Sequence, residues 1–392
     1  MPLALLALTI SAFAVGTTEF VIVGLLPEIA ADLGVSLPAA GMLVSIYALG
    51  VTIGAPVLTA LAGPLPRKTL LLALLALFVA GNAAAAVAPG HVSLLAARFV
   101  TGLAHGVFFA IASTMATGLV SRDREGSAIA LVFAGLTVAL VTGVPLGTWI
   151  GQAFGWQATF IGVVGLGLAG LLASALMVPS GLPAAPAPGL RAQLGVLTSP
   201  RLLGVYLITA TGYGGNFIAF TYLASMLTQV TGLGAGTVGA VMLVYGASVA
   251  LGNIAGGRLA DRIGAVPALT VIFAGLSAVL LALGAVLASP VATVAVVAVW
   301  GGFAFANVPP LQAHTVQIAR QVAPEAVDVA SGLNIGAFNL GIAGGAWLGG
   351  IAVARWGLGA APFLGAGVVA LALVLTWLSG RSARATTAAR PA

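Results

Sequence analysis

The sequence predicts an all-α protein that crosses a lipid bilayer with twelve helices, arranged as two pseudo-symmetric six-helix bundles. Three observations predict this fold class. The chain contains few charged residues, its apolar residues form twelve long runs, and its two halves repeat at a constant offset.

The composition indicates that lipid is the solvent of most of the chain. Of 392 residues, 60% are hydrophobic and only 6% are charged, whereas a soluble domain carries about 25% charged residues. The net charge of +6 does not predict a nucleic-acid partner, because no basic run is interleaved with aromatic residues. The chain has no cysteine, which excludes disulfides and thiolate metal sites.

Each apolar run is long enough to form a transmembrane helix. Membrane β-strands would need segments of about ten residues with alternating polarity, which this sequence lacks. The runs lie at about 3–26, 39–61, 69–88, 92–118, 127–151, 159–179, 202–227, 236–256, 267–288, 290–314, 328–352 and 358–379.

These runs predict four parts of the chain. An N-terminal six-helix bundle spans 1–179, and a proline-rich cytoplasmic linker follows at 180–201. A C-terminal six-helix bundle spans 202–380, and a polar cytoplasmic tail occupies 381–392.

The distribution of Lys and Arg predicts that both termini are cytoplasmic, because positive residues concentrate in cytoplasmic loops. In this orientation only Arg355 falls in an outside loop, while Arg98 lies inside the fourth helix. The inside loops and tail hold Arg67, Lys68, Arg122, Arg124, Arg191, Arg201, Arg258, Arg262, Arg320, Arg381, Arg384 and Arg390.

The two halves repeat with an offset of 198 residues. Tyr47 matches Tyr245, Gly54 matches Gly252, and the run of Gly143, Gly147, Trp149 and Gly151 matches Gly341, Gly345, Trp347 and Gly349. The paired tryptophans and the constant register favour a true internal repeat over chance glycine matches.

Several motifs carry a resemblance that covers almost the whole chain. They are Gly16-Thr17-Thr18-Glu19-Phe20 with Leu26-Pro27-Glu28-Ile29-Ala30, Arg98-Phe99-Val100-Thr101-Gly102, Gly143-Val144-Pro145-Leu146-Gly147, Gly155-Trp156-Gln157-Ala158-Thr159-Phe160, and Gly257-Arg258-Leu259-Ala260-Asp261-Arg262-Ile263-Gly264. The chain resembles the major facilitator superfamily, and within it the twelve-helix drug:proton antiporters of the chloramphenicol-resistance and arabinose/sugar-efflux type.

This resemblance implies a secondary active transporter in the bacterial inner membrane, working as a monomer by alternating access. The expected function is proton-coupled export of small amphiphilic molecules, such as chloramphenicol-like drugs. Sugar or purine-nucleoside efflux, uptake by proton symport, and an uncoupled uniporter or channel remain alternatives. The expected partners are the substrate, protons and lipid, and the proton gradient supplies the energy with no cofactor.

Glu19 is the predicted proton site because a carboxylate in an apolar spanning helix is costly and therefore tends to be functional. It lies ~11 Å from the outer end of the first helix, and Arg98 lies ~9 Å into the fourth, at 1.5 Å per residue. We therefore expect the two to pair or to share a water. The alternatives are a permanent structural ion pair and an Arg98 side chain that extends to the outer interface.

Other residues are predicted to line a substrate cavity that is acidic on one side and aromatic on the other. By the repeat, Phe217 stands where Glu19 would be, and Asn216 where Thr18 would be. His105 shares a helix face with Arg98, although it could simply bond a neighbouring helix. The substrate-binding candidates are Glu19, Tyr47, His105, Tyr213, Asn216, Phe217, Phe220, Tyr245, Trp300, Phe303, Asn307, Asn334 and Phe338.

Two motifs are predicted to control the conformation. In the family, the loop between helices 2 and 3 carries charges that latch the cytoplasmic face. Here the first copy keeps Arg67 and Lys68 but has Gly63 where an aspartate is usual, and the second copy keeps Gly257, Asp261 and Arg262. We expect the second half to carry the latch, unless these charges only set topology.

The second of these motifs lies in the fifth helix. Gly143 and Gly147 are spaced for close helix packing, and Pro145 is expected to distort the helix locally. The resemblance associates this segment with antiporters.

An integral-membrane enzyme is the main rival class, and the sequence argues against it. His91, His105 and His314 fall in different segments, and no Asp or Glu at suitable spacing accompanies them. We therefore expect neither catalytic residues nor a metal site.

Overall fold

The computed structural model describes residues 3–61, 65–121, 124–180 and 195–388. These residues contain twelve helices that are long and apolar enough to span a membrane, as predicted, and no strand. Gly63 and most of the predicted linker lie outside the described residues. The helices are α1 Leu3–Asp32, α2 Leu37–Leu61, α3 Arg67–Ala86, α4 His91–Gly118, α5 Glu125–Val138 with Val144–Phe154, α6 Trp156–Met177, α7 Pro200–Phe220 with Leu223–Gln229, α8 Ala235–Ile263, α9 Ala265–Val286, α10 Pro290–Ala304 with Val308–Val322, α11 Val327–Trp356 and α12 Ala360–Ala388.

Helix α5 contains a π-helical turn at Ala139–Gly143, where the Val144 N–H bonds the Ala139 carbonyl. Pro145 follows directly and lacks the N–H that would continue the regular bonding pattern. The distortion expected at Pro145 is therefore a wide turn just before it, a form that often marks functional sites.

The chain divides into two compact units. The first contains residues 1–186 and 221–246, and the second contains residues 187–220 and 247–392. The Leu223–Gln229 segment of α7 and the first part of α8 therefore belong to the first unit, although the sequence places both helices in the C-terminal half.

Helix α1 is the central element of the first unit. It contacts α2, α4, α5, α6 and the Leu223–Gln229 segment of α7. Every residue from Ala14 to Leu26 is buried, so this stretch of the helix has no face left for lipid. An apolar helix that is buried all round presents any polar side chain to protein rather than to the bilayer.

Small residues let α1 and α5 approach closely. A Cβ atom on Gly143 would meet Thr17, one on Gly147 would lie 2.5 Å from Val21 Cγ2, and one on Gly151 would meet Leu25. These three contacts follow the same four-residue spacing on both helices. The close packing predicted for the α5 glycines is thus made against α1, the helix that carries Glu19.

The second unit is built around the Pro200–Phe220 segment of α7, which contacts α11 and α12. Gly214 lies against the main chain of Gly341, and Gly252 of α8 lies against the main chain of Gly302 of α10. In the first unit Gly54 of α2 lies against Leu103 of α4 in the same way. The matched pair Gly54 and Gly252 therefore serves the same helix crossing in both halves.

Candidate transport site

Glu19 lies in the middle of α1 and retains a small accessible surface. Its relative exposure is 8%, whereas its neighbours Thr18 and Phe20 are 0% and 2% exposed. The carboxyl group is thus enclosed by helices but still reachable. This combination suits a group that exchanges a proton, since a fully sealed acid could not do so.

Arg98 of α4 is 1% exposed and is held by main-chain carbonyls. Its Nη1 donates to the Thr18 carbonyl at 2.8 Å, its Nη2 to the Glu19 carbonyl at 3.5 Å, and its Nε to the Leu43 carbonyl at 3.4 Å. Its guanidinium carbon also lies 4.0 Å from the ring centroid of Tyr47. Arg98 therefore links α4 to α1 and α2 and does not extend towards the interface.

The anchoring of Arg98 leaves the Glu19 carboxylate free. Among the described residues that carboxylate makes no hydrogen bond or ion pair, although it interacts electrostatically with Arg98. Protonating Glu19 would therefore break no bond that holds Arg98 in place. The predicted neighbours are brought together, but through the backbone of α1 rather than through the acid group.

Tyr47 connects Arg98 to His105. The Tyr47 hydroxyl lies 2.9 Å from His105 Nδ1, and the His105 ring packs 5.1 Å from the ring of Phe109 between centroids. Both predicted residues thus belong to one buried group in the first unit, on α2 and α4.

Asn82 of α3 also belongs to this group, although it was not among the predicted residues. The Thr18 hydroxyl donates to Asn82 Oδ1 at 2.6 Å, and Asn82 Nδ2 donates to the Phe78 carbonyl at 2.9 Å. Thr18 thus binds Arg98 through its carbonyl and Asn82 through its side chain. The available signal was an isolated amide within the apolar run 69–88.

In the second unit, the predicted aromatic residues form a continuous cluster, which we call the aromatic cluster. Its ring centroids lie 4.9 to 6.4 Å apart, and the Trp300 indole donates to Asn216 Oδ1 at 2.8 Å. Phe305 was not among the predicted residues, and its ring centroid lies 5.3 Å from that of Tyr213. The cluster comprises Tyr213, Asn216, Phe217, Phe220, Trp300, Phe305 and Phe338.

The other predicted substrate residues take separate positions. Asn334 accepts from the Thr209 hydroxyl at 2.7 Å and donates to Gln312 at 2.8 Å. Asn307 lies at the break in α10, and Phe303 packs against Gly275 of α9. Tyr245 of α8 is buried and belongs to the first unit.

The predicted latch residues lie at helix ends. Lys68 Nζ donates to the Ala175 carbonyl at 2.7 Å, close to the end of α6, and Arg67 is half-buried. Asp261 and Arg262 are exposed on the last turn of α8, and Gly257 faces Pro309 of α10. In the described residues no group of three His, Cys, Asp or Glu side chains could hold a metal ion.

A family model for the Major Facilitator Superfamily matches residues 8–322. The chain belongs to the major facilitator superfamily. This transporter is 47% identical to the uncharacterized MFS-type transporter YtbD of Bacillus subtilis, over 95% of this chain and 94% of that protein. It is 40% identical to the inner membrane transport protein YdhP of Escherichia coli K12, over 96% of both chains.

A further relative of this transporter has a more specific name. The chloramphenicol resistance protein of Streptomyces lividans is 40% identical over 67% of this chain and 68% of that protein. The crystal structure of the human organic anion transporter MFSD10 (TETRAN) matches the fold with a TM-score of 0.69, covering 95% of this chain and 98% of that chain at 20% identity. The chain is thus a major facilitator transporter and a multi-pass protein of the inner membrane, as the sequence predicted.

Proposed function

We propose that this transporter exchanges protons for small amphiphilic molecules and exports them, with Glu19 as the proton carrier. One observation carries this proposal. Glu19 is a membrane-embedded acid that remains accessible, while its neighbour Arg98 is anchored on the carbonyls of Thr18, Glu19 and Leu43.

Because Arg98 is held by main-chain carbonyls, protonation of Glu19 changes the charge at the site without breaking the hydrogen bonds that hold Arg98. Burial and a nearby cation shift the proton affinity of a carboxyl group in opposite directions. A modest change in hydration can therefore change whether the protonated or the ionised form predominates. In the mechanism we propose, Glu19 binds a proton from outside and releases it inside as the substrate binds. Proton entry then drives substrate exit.

One relative supports a drug-like substrate. It is named a chloramphenicol resistance protein, and it matches about two thirds of this chain. We therefore propose chloramphenicol as the first substrate to test, with arabinose and a purine nucleoside as the competing substrates.

The decisive experiment uses the full chain in proteoliposomes with an imposed pH gradient. We expect the gradient to drive chloramphenicol transport, and we expect Glu19→Gln to abolish this drive while chloramphenicol binding persists. Transport that ignores the gradient would indicate a uniporter, and transport in the same direction as the proton would indicate a symporter. Wild-type rates in Glu19→Gln would contradict the assigned role of Glu19.

A further inference from the structure

The second unit contains an oriented hydrogen-bond donor. Asn216 of α7 is fully buried, and its Oδ1 accepts a hydrogen bond from the Trp300 indole at 2.8 Å. An indole nitrogen can only donate. Trp300 therefore fixes the orientation of the Asn216 amide, with the oxygen towards the indole and the NH₂ group pointing elsewhere.

The NH₂ group of Asn216 has no acceptor among the described residues, although the nitrogen is enclosed. Leaving a buried donor unpaired costs free energy, and native structures seldom accept that cost without a ligand or a water. An enclosed amide with one end fixed and the other end unsatisfied is thus an arrangement that a ligand acceptor would complete.

The aromatic cluster that contains Asn216 has no charged member. Phe217, Phe220 and Trp300 belong to the same cluster, with ring centroids 5.3 Å apart for Phe217 and Phe220 and 6.3 Å apart for Phe220 and Trp300. No Asp, Glu, Lys or Arg occurs in 202–220 or in 290–304. An ionic ligand would lose hydration at this cluster without gaining a counter-charge from it.

We propose that Asn216, oriented by Trp300, selects uncharged substrates that combine a flat ring with a hydrogen-bond acceptor. The ring packs against the aromatic side chains, and a carbonyl, nitro or hydroxyl oxygen accepts from Asn216 Nδ2. This inference rests on the proposed transport of small molecules and deepens it by naming the class of substrate.

The test is equilibrium dialysis of the full chain in nanodiscs, with no pH gradient. Chloramphenicol serves as the uncharged probe, since it has a ring with nitro and carbonyl oxygens. Tetraphenylphosphonium serves as an aromatic cation without an acceptor. The variants are Asn216→Leu, which removes the donor at similar volume, and Trp300→Phe, which keeps a ring but frees the amide to rotate.

We expect the wild type to bind chloramphenicol more tightly than tetraphenylphosphonium. Asn216→Leu should raise the chloramphenicol Kd about 10-fold, equivalent to about 1.4 kcal/mol, and leave the weak phosphonium binding unchanged. Trp300→Phe should raise the chloramphenicol Kd by a smaller factor. Thr211→Val is the matched control on α7, because the Thr211 hydroxyl bonds the Leu207 carbonyl of its own helix at 2.7 Å, and it should bind like the wild type.

If Asn216→Leu fails to fold, the pair Asn216→Ser and Asn216→Ala replaces it, since only serine retains a donor. A wild-type Kd in the variants that lack a donor would overturn the inference, as would tighter binding of the cation or no binding of chloramphenicol. Because these Kd values are measured without a gradient, they do not depend on whether transport in proteoliposomes is coupled to protons. Conversely, a wild-type Kd in Asn216→Leu would not affect the test of proton coupling with Glu19→Gln.

Discussion

At the scale of single residues, the stability of the site depends on how Arg98 is held. Each of the three guanidinium nitrogens donates to a different carbonyl, on α1 and α2. The planar fork of arginine spreads its donors over three nitrogens and so spans acceptors on two helices, whereas the donors of lysine radiate from a single nitrogen. Arg98 therefore acts as a bridge between helices as well as a charge.

Replacing Arg98 by lysine tests this bridge. Arg98→Lys keeps the charge but loses at least one of these bonds, each worth about 1.5–3 kcal/mol when a charged group takes part. We expect a lower thermal unfolding temperature in detergent and at least about a 10-fold loss of gradient-driven transport, since 1.4 kcal/mol corresponds to a factor of ten.

The control for this substitution is Arg201→Lys. Arg201 is exposed at the start of α7, so the same change should leave both measurements close to wild type. If Arg98→Lys matches Arg201→Lys in stability and transport, the positive charge alone suffices and the bridge is irrelevant.

The sequence predicted the proximity of Glu19 and Arg98 from helix depth alone, but not the bonding. Depth follows from the rise of 1.5 Å per residue, which is the same for every helix. The acceptors are main-chain carbonyls of Thr18, Glu19 and Leu43, and every residue has such a carbonyl. Residue types therefore contain no sign of which carbonyls turn towards Arg98.

At the scale of elements, the helix that carries Glu19 packs against the segment of α5 that contains the π-turn. Gly16 of α1 lies against Leu136 and Ala139, and Gly24 lies against Thr148. The turn at Ala139–Gly143 falls between these two contacts along α5. Any change in this turn would shift the helix that carries Glu19.

Enlarging Gly24 tests how tight this contact is. A Cβ atom there would overlap Thr148 Oγ1 and lie 2.9 Å from Thr148 Cβ, and overpacking of this kind costs about 1–3 kcal/mol. We expect Gly24→Ala to lower the unfolding temperature and the transport rate. Gly162→Ala of α6 is the control, because nothing lies within 4 Å of its added Cβ.

Adding Thr148→Ala to Gly24→Ala should recover part of the loss. The hydroxyl and methyl overlaps disappear, while the Cβ contact of 2.9 Å remains. Purely additive effects of the two substitutions would contradict the contact, since residues that touch show an interaction energy in a double-mutant cycle.

The twelve spans were predictable because hydropathy acts over some twenty residues and averages out local detail. The ends of the helices and the breaks within them were not predictable from hydropathy. Helix α1 continues past Pro27 to Asp32, and α10 is interrupted between Ala304 and Val308. Such features depend on single hydrogen bonds and on tertiary contacts, which a hydropathy window does not register.

At the scale of the whole molecule, the two repeats have diverged in charge while keeping their helix crossings. Gly54 and Gly252 serve equivalent crossings, yet Glu19 corresponds to Phe217 and Thr18 to Asn216. The buried charges of the described residues, Glu19 and Arg98, both lie in the first unit. In our proposal, the first unit therefore carries the proton and the second unit recognises the ring of the substrate.

The orientation of the chain in the membrane is the prediction that belongs to this scale. Twelve spans place both termini on the same side, and the positive-inside rule assigns that side to the cytoplasm. The chain contains no cysteine, so single cysteines can be introduced without a background. Arg355→Cys should react with a membrane-impermeant maleimide in intact cells. Arg320→Cys, which is equally exposed at the end of α10, should react only in inverted membrane vesicles. The opposite labelling pattern would show the reverse orientation, and it would reverse the direction of proton movement that we propose for Glu19.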